Sequence, residues 1–247
     1  MRVLTLVGAV CSGLLSSAVH AQPVIGPQIA VEATTDLRER GLSWSDGKGA
    51  VAVSASVPVT YDLVFDLEAA TLRDSARHGG ADVGLTFAPQ YRLTSGGWGF
   101  NAGVRGNVFV GRSGMSYVEL TGQVDHTIGP ARLLAAVDFA PSQDAIGGRN
   151  LHVELQASAG IPGVPVTVYG GVGHTTGPSN DRERTWRLRP GGDYTDYHLG
   201  IEHSRSTLTF GLRYSDTSIG ADDVNPAVRY YDRHYGARLL AYARISS

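Results

Sequence analysis

Along most of the chain, apolar and polar residues alternate one for one. From Leu151 to Ile161 the odd positions are Leu151, Val153, Leu155, Ala157, Ala159 and Ile161, and the even ones are His152, Glu154, Gln156, Ser158 and Gly160. A period of two marks a strand with one dry face and one polar face. The same alternation sets Leu208, Phe210, Leu212 and Tyr214 against Thr209, Gly211 and Arg213, and Val83, Leu85 and Phe87 against Asp82, Gly84 and Thr86. No comparable run at helical spacing occurs, and glycine recurs inside most candidate helices, where it costs about 1 kcal/mol relative to alanine. The pattern predicts about twelve strands, at 28–37, 50–58, 61–69, 81–92, 98–110, 115–128, 131–140, 150–161, 164–174, 194–204, 206–217 and 234–246. Most have ten or more residues. A tilted strand needs roughly 9–11 to cross a bilayer, whereas strands of soluble domains average about 5–6.

The connections sort by parity. Those after even-numbered strands are short: Pro58 to Tyr61, Leu93 to Gly97, Gly129-Pro130, Pro162-Gly163 and Arg205. Those after odd-numbered strands are long: Arg38 to Gly49, Ala70 to Gly80, Pro141 to Arg149, Thr175 to Tyr194 and Ser218 to Arg233, with Gly111 to Gly114 as the exception. Short turns at one end and long loops at the other are the arrangement of outer-membrane barrels, with both termini on the periplasmic side. The predicted fold class is all-β, an antiparallel transmembrane β-barrel of about 12 strands.

Composition narrows this further. The 247 residues are 42% apolar and 18% charged, which excludes a disordered chain. A formal net charge of −2 without a basic block argues against nucleic acid as a partner. The one cysteine, Cys11, excludes a disulfide framework and a cysteine-based zinc site. Met1-Arg2, the apolar run Val3 to Leu15 and the small-x-small Val19-His20-Ala21 read as a secretory signal peptide over 1–21, cut before Gln22, leaving 22–247 as the barrel.

Catalytic motifs are missing: there is no Gly-x-Ser-x-Gly elbow, Walker loop, His-Glu-x-x-His or EF-hand loop. No cofactor or metal is expected. His203-Ser204 and His126-Thr127 are sequence neighbours, so in strands each pair points to opposite faces and makes no dyad. Asp181-Arg182-Glu183-Arg184, with Arg187 and Arg189, reads as a solvated loop tip, or alternatively as arginines that attract lipopolysaccharide phosphates.

The polar faces carry both signs of charge, almost without lysine; Lys48 is the single one. Arginine forks pair bidentately with carboxylates in a confined space. The candidate pore-lining residues are Arg38, Arg40, Asp66, Glu68, Arg105, Glu119, Glu154, Arg213 and Arg238. Arg38 and Arg40 are expected at the outer end of the first strand. With Arg105, Arg213 and Arg238 they would form a positive wall facing Asp66, Glu68, Glu119 and Glu154, a transverse field that selects among small polar solutes. The alternative is a salt-bridged plug. Tyr61, Tyr91, Tyr117, Tyr194, Tyr214, Tyr235 and Trp98 lie near strand ends, as an interfacial girdle requires.

The stretch from Asp36 to Gly47, with its Arg38-x-Arg40-Gly41-x-Ser43 core, resembles the first strand end and loop of the TorF-like porins. Tyr117-Val118-Glu119-Leu120 is similar to that family's central Tyr-x-Glu strand. Asp138-Phe139-Ala140-Pro141-Ser142 resembles the end of another strand, and Asp193 to Tyr197 with Leu208 to Thr217 resembles its last hairpin. Leu37 and Glu39 stand where the family has aromatics, and the chain ends Ile245-Ser246-Ser247 without a terminal aromatic. The resemblance implies a channel-forming outer-membrane barrel without catalytic residues. The resulting expectation is a narrow pore for passive diffusion of small hydrophilic solutes, in contact with outer-membrane lipid and lipopolysaccharide. A closed structural or adhesive barrel is the alternative, and a lipid hydrolase the less favoured one.

Overall fold

A computed structural model describes residues 26–247. The expected signal peptide, with Cys11, lies outside the described residues. In chain order the strands are β1 (Gln28–Thr34), β2 (Arg38–Glu39), β3 (Leu42–Ser43), β4 (Ala50–Pro58), β5 (Leu63–Ser75), β6 (Ala81–Ser95), β7 (Trp98–Phe109), β8 (Tyr117–Ile128), β9 (Ala131–Gln143), β10 (Gly148–Gly160), β11 (Val166–Thr176), β12 (Tyr194–Arg205), β13 (Leu208–Thr217) and β14 (Arg238–Ser246). Twelve of them close an antiparallel barrel, each paired with its neighbours and β14 with β1; β2 and β3 form a separate two-stranded hairpin. Closure leaves no sheet edge with unpaired backbone groups, the condition for a sheet in hydrocarbon. No helix of the described residues is long and apolar enough to cross a membrane.

The alternation read from the sequence sorts cleanly into two environments. On β10, Val153 and Leu155 face outward at 43% and 62% exposure, while His152 of the same strand faces inward and is buried at 1%. On β12, Tyr197, Leu199 and Ile201 are exposed and Asp196 and Glu202 buried. The outer surface is a continuous belt of valine, leucine and isoleucine, far larger than the few hundred Å² that soluble monomers expose. The interior holds the charges. This inversion of a soluble protein is what lipid outside and a polar lumen inside demand. Leu155→Arg, in the middle of the lipid face, is expected to lower stability in vesicles by about 2–4 kcal/mol; urea titration of the refolded barrel measures it.

At the short-turn end, Gly96-Gly97 connects β6 to β7 with φ of 57° and 83°, the doubly left-handed conformation that matches the twist of a tight hairpin. Two of the connections expected to be long are shorter, because the strands run on. β5 continues to Ser75, β9 to Gln143, and β10 starts at Gly148. The ladder between β5 and β6 shifts register between Thr71 and Ser75, where Arg73 and Asp74 have φ of 57° and 60°. Such a bulge hides the period of two from the sequence. The first strand ends at Thr34 rather than 37, and the last begins at Arg238 rather than 234.

Of the expected girdle, Tyr61, Tyr91, Trp98 and Tyr214 do lie exposed on the outside. Tyr117 and Tyr194 do not: both are 2% exposed and point into the barrel. Tyr235 packs beside Leu42, Tyr194 and Ile219 among the loops. A strand-end position alone does not say which face an aromatic takes; the parity of its own strand does.

Candidate functional site

The site is the lumen, and its main feature comes from a loop. After β1 the chain turns inward, and the hairpin β2–β3 sits inside the barrel. Its tip, Arg40-Gly41, has φ of 51° and 74°. At Gly41 a Cβ would stand 2.5 Å from Thr217 Cγ2 and 2.9 Å from Asp196 Cβ, so only glycine lets the tip press against β12 and β13. Asp36, fully buried, holds the loop in shape. It accepts hydrogen bonds from Arg38 Nε at 2.9 Å, Ser43 Oγ at 2.6 Å and Ser45 Oγ at 3.1 Å. Arg38 also donates to the carbonyls of Gly41 and Gly236.

Arg40 crosses to the opposite wall. Its Nη1 and Nη2 donate to the two Glu119 carboxylate oxygens at 2.9 and 3.0 Å, and Nη2 also reaches Asp138 at 3.2 Å. Arg105 stands 3.5 Å from Glu39 and from Glu119, and 3.6 Å from Asp138. Tyr194 donates its hydroxyl to the Arg40 carbonyl at 3.0 Å. The hairpin tip is thus fixed to β8 and β9 through Arg40, to β12 through Tyr194, and against β13 through Gly41. Side chains in this cluster are at most 16% exposed, so every ion here relies on its partner rather than on water.

Above the hairpin the outer loops close over the mouth. Trp44 of the loop packs on His78 at 4.6 Å between ring centroids, and His78 stacks on Phe109 at 4.4 Å. Leu72, Met115, Tyr117, Ile146, Leu188 and Tyr230 complete this apolar cap. Arg187 lies over the rings of Phe109 and Tyr117 and exchanges hydrogen bonds with Arg77, each donating to the other's carbonyl. Arg187 and Arg189, expected in a solvated loop tip, are 0% and 3% exposed. They serve the cap because the loop between β11 and β12 folds down onto the barrel mouth. Burial lowers the Arg187 pKa to about 10, still charged at neutral pH. His78 has both ring nitrogens buried without a hydrogen-bond partner. Burial, then the charges of Arg187 and Arg77, holds its pKa well below the usual histidine value.

Below the hairpin the charges pair along the wall: Asp66 with Arg92, Asp125 with Arg132 at 3.0 Å, and Glu32 with Arg244 at 3.0 Å. Tyr242 donates to Glu202 and meets Tyr169 at 3.0 Å between hydroxyl oxygens. The turns at this end, such as 96–97 and 129–130, are too short to fold into the lumen.

The nine sequence candidates therefore separate. Arg40, Arg105 and Glu119 meet in one cluster. Arg38 belongs to the loop, not to the end of β1. Asp66 pairs with Arg92 in the other half, and Glu68 is a half-buried interior residue of β5. Arg238 donates to the Gly47 carbonyl at 3.0 Å. Glu154 and Arg213 line a small cavity under the hairpin tip. Two opposed walls of charge do not form. Arg105 and Glu119 are direct cross-strand partners on neighbouring β7 and β8, so one wall carries both signs. Sequence reasoning missed the roles of Asp36, Glu39, His78, His152 and Asp196. Asp36 and Glu39 sit in the Arg-rich loop that was singled out, and their charge was the available signal.

A family model described as "Bacterial protein of unknown function (Gcw_chp)" matches residues 24–239. The chain belongs to this family. No curated protein matches the sequence. Among solved structures, the COG4313 outer membrane channel from Pseudomonas putida F1 is 12% identical, covers 94% of this chain and 98% of its own, and superposes with a TM-score of 0.57. The NanC porin is 9% identical, with 88% and 97% coverage and a TM-score of 0.56. At such identities the likeness establishes the barrel fold shared with outer-membrane channels, and the Gcw_chp chain has that fold over nearly its whole described length.

Proposed function

We propose that the protein is an outer-membrane channel for passive diffusion of small hydrophilic solutes, exported by its signal peptide and gated at its outer mouth by the β2–β3 hairpin. The observation that carries the reading is how the lumen is blocked. The obstruction is a short loop hairpin fixed by ion pairs and hydrogen bonds, above an interior lined by charged and polar groups. A barrel built only as a solid scaffold has no need to keep paired charges along its whole interior, since apolar filling of the same volume is as stable or more so. The resemblance to TorF-like porins supports the same reading. In it the protein is not an enzyme: His203 is exposed while Ser204 is half-buried on the other face of β12. Its partners are outer-membrane lipid around the belt, lipopolysaccharide near the exposed Arg182 and the half-buried Arg184 of the outer loops, and the solutes themselves.

The alternative, a closed structural or adhesive barrel, is favoured by the apolar cap around His78 and Trp44. Planar-bilayer recording of the refolded, heat-modifiable protein separates the two. The channel reading expects rare, discrete openings that become frequent when residues 37–47 are replaced by a short glycine-serine link. Silence from both folded proteins would leave a sealed barrel and move function to the loops.

A further inference from the structure

Glu39, Glu119 and Asp138 in the outer lumen have arginine partners; Asp196 and Glu154 make no ion pair with an arginine among the described residues. Asp196 on β12 is 3% exposed, its Oδ2 accepts no hydrogen bond, and no ion pair reaches it among the described residues. It lies in one cross-strand row with Glu154: Glu154 faces Gly173, and Gly173 faces Asp196. Gly173 is what makes the row concave. A Cβ there would stand 2.3 Å from Asp196 Oδ2 and 2.5 Å from His152 Cε1, so both side chains lean into the space that the glycine leaves. His152 is 1% exposed; its Nδ1 meets Thr175 Oγ1 at 2.9 Å and its Nε2 has no partner. In the tautomer that donates Nδ1–H to Thr175, Nε2 is an acceptor. Glu154 has a side-chain hydrogen bond with Gln156 and His198 Nδ1 at 3.8 Å. Asp196, Glu154, His152 and His198 line the cavity of about 20 Å³ beneath the hairpin tip, room for a water or a group of similar size.

Three arginines line the cavity, Arg38, Arg40 and, on β13, Arg213, and the first two are committed elsewhere. Arg40 spends both terminal nitrogens on Glu119 and Asp138, and Arg38 spends its own on Asp36 and loop carbonyls. Beside Arg213, the cavity presents two carboxylates and an imidazole nitrogen, three acceptors around a buried recess. A primary ammonium group carries three N–H donors on one compact charge.

We propose that Asp196, Glu154 and His152 form a binding subsite for the primary ammonium group of a solute, reached when the hairpin tip withdraws. This deepens the channel reading and names the class of solute that the lumen would favour. A quaternary ammonium has the charge but no N–H, so it lacks the means to satisfy Asp196 Oδ2, and an anion meets two carboxylates.

The test uses the full-length folded protein in detergent, with methylammonium, tetramethylammonium and acetate as probes at equal ionic strength. Thermal unfolding followed against concentration is expected to show a rising midpoint with methylammonium alone. Asp196→Asn is expected to weaken the apparent affinity at least about tenfold, the loss typical of one charge-assisted hydrogen bond. Gly173→Ala, which keeps every charged residue but pushes Asp196 and His152 out of the recess, should do the same. If Asp196→Asn fails to give a heat-modifiable band, Glu154→Gln carries the comparison. Equal effects of methylammonium and tetramethylammonium, or wild-type affinity in the Asp196 and Glu154 variants, would overturn the assignment. Because binding is read without conductance, a silent bilayer recording would remove the channel reading and leave this result standing.

Discussion

Arg40→Ala is expected to turn a mostly closed barrel into one that conducts for a large fraction of the time. The substitution removes the fork that joins the hairpin tip to Glu119 and Asp138. Glu119 is fully buried, and Arg105 at 3.5 Å is left as its nearest cation. Removing one partner of a buried ion pair costs about 3–5 kcal/mol, because the other charge stays out of water without compensation. Opening of the hairpin lets water reach Glu119, so most of that cost falls on the closed state. A shift of this size raises the ratio of open to closed by roughly two orders of magnitude or more. Arg40→Lys should fall between, since an ammonium offers a point charge in place of a planar fork. Single-channel open probability is the measurement. If Arg40→Ala leaves it at the wild-type value in a correctly folded barrel, the hairpin is held by the cap and not by its tip.

Acid is expected to loosen the outer cap, with His78 as the cause. In the closed state this ring is buried between Trp44 and Phe109, beside the guanidinium groups of Arg77 and Arg187, and resists protonation. Once the cap opens, water restores an ordinary pKa of about 6.5. The depressed closed-state value means that opening takes up a proton below that pH and none above it. Cap stability is therefore fully present above about pH 6.5 and falls by about 1.4 kcal/mol for each unit below, until the closed-state pKa is reached. Hydrogen exchange of the amides around Trp44 and residues 110–116 should accelerate over that range. His78→Phe keeps a flat ring between the same neighbours and should flatten the profile. A profile that persists in His78→Phe would assign the acid response to another group.

How much of this was legible depends on where each feature draws its information. Ten of the twelve barrel strands fall within three residues of the alternation at each end, β5 runs six residues further and the last starts four residues late, because facing in or out is decided residue by residue along each strand. Boundaries slipped where a bulge reverses the parity, as at Arg73-Asp74, or where the loop residues themselves alternate, as beyond Thr34. The charged interior was legible for the same local reason. Which charges meet was not. Arg38 and Arg40 were read as a continuation of β1, yet Arg40 finds Glu119 and Asp138, 79 and 98 positions away. Asp196 looked like one more polar position on a strand; only its lack of a partner, and the glycine opposite, sets it apart.

The sequence by itself determined the barrel: strand number, chain direction, the parity of the loops and the separation of apolar from charged faces. These follow from hydropathy at spacing two and from glycine-rich turns, both local properties that closure merely repeats around the ring. The tertiary structure alone decided that the first long loop returns inside, that its arginine neutralises the far wall, and that a histidine and a tryptophan seal the mouth. A loop has no periodic pattern to declare its direction. Its position is set by the sum of a few long-range ion pairs, hydrogen bonds and ring contacts, and those exist only once the barrel has brought its walls together.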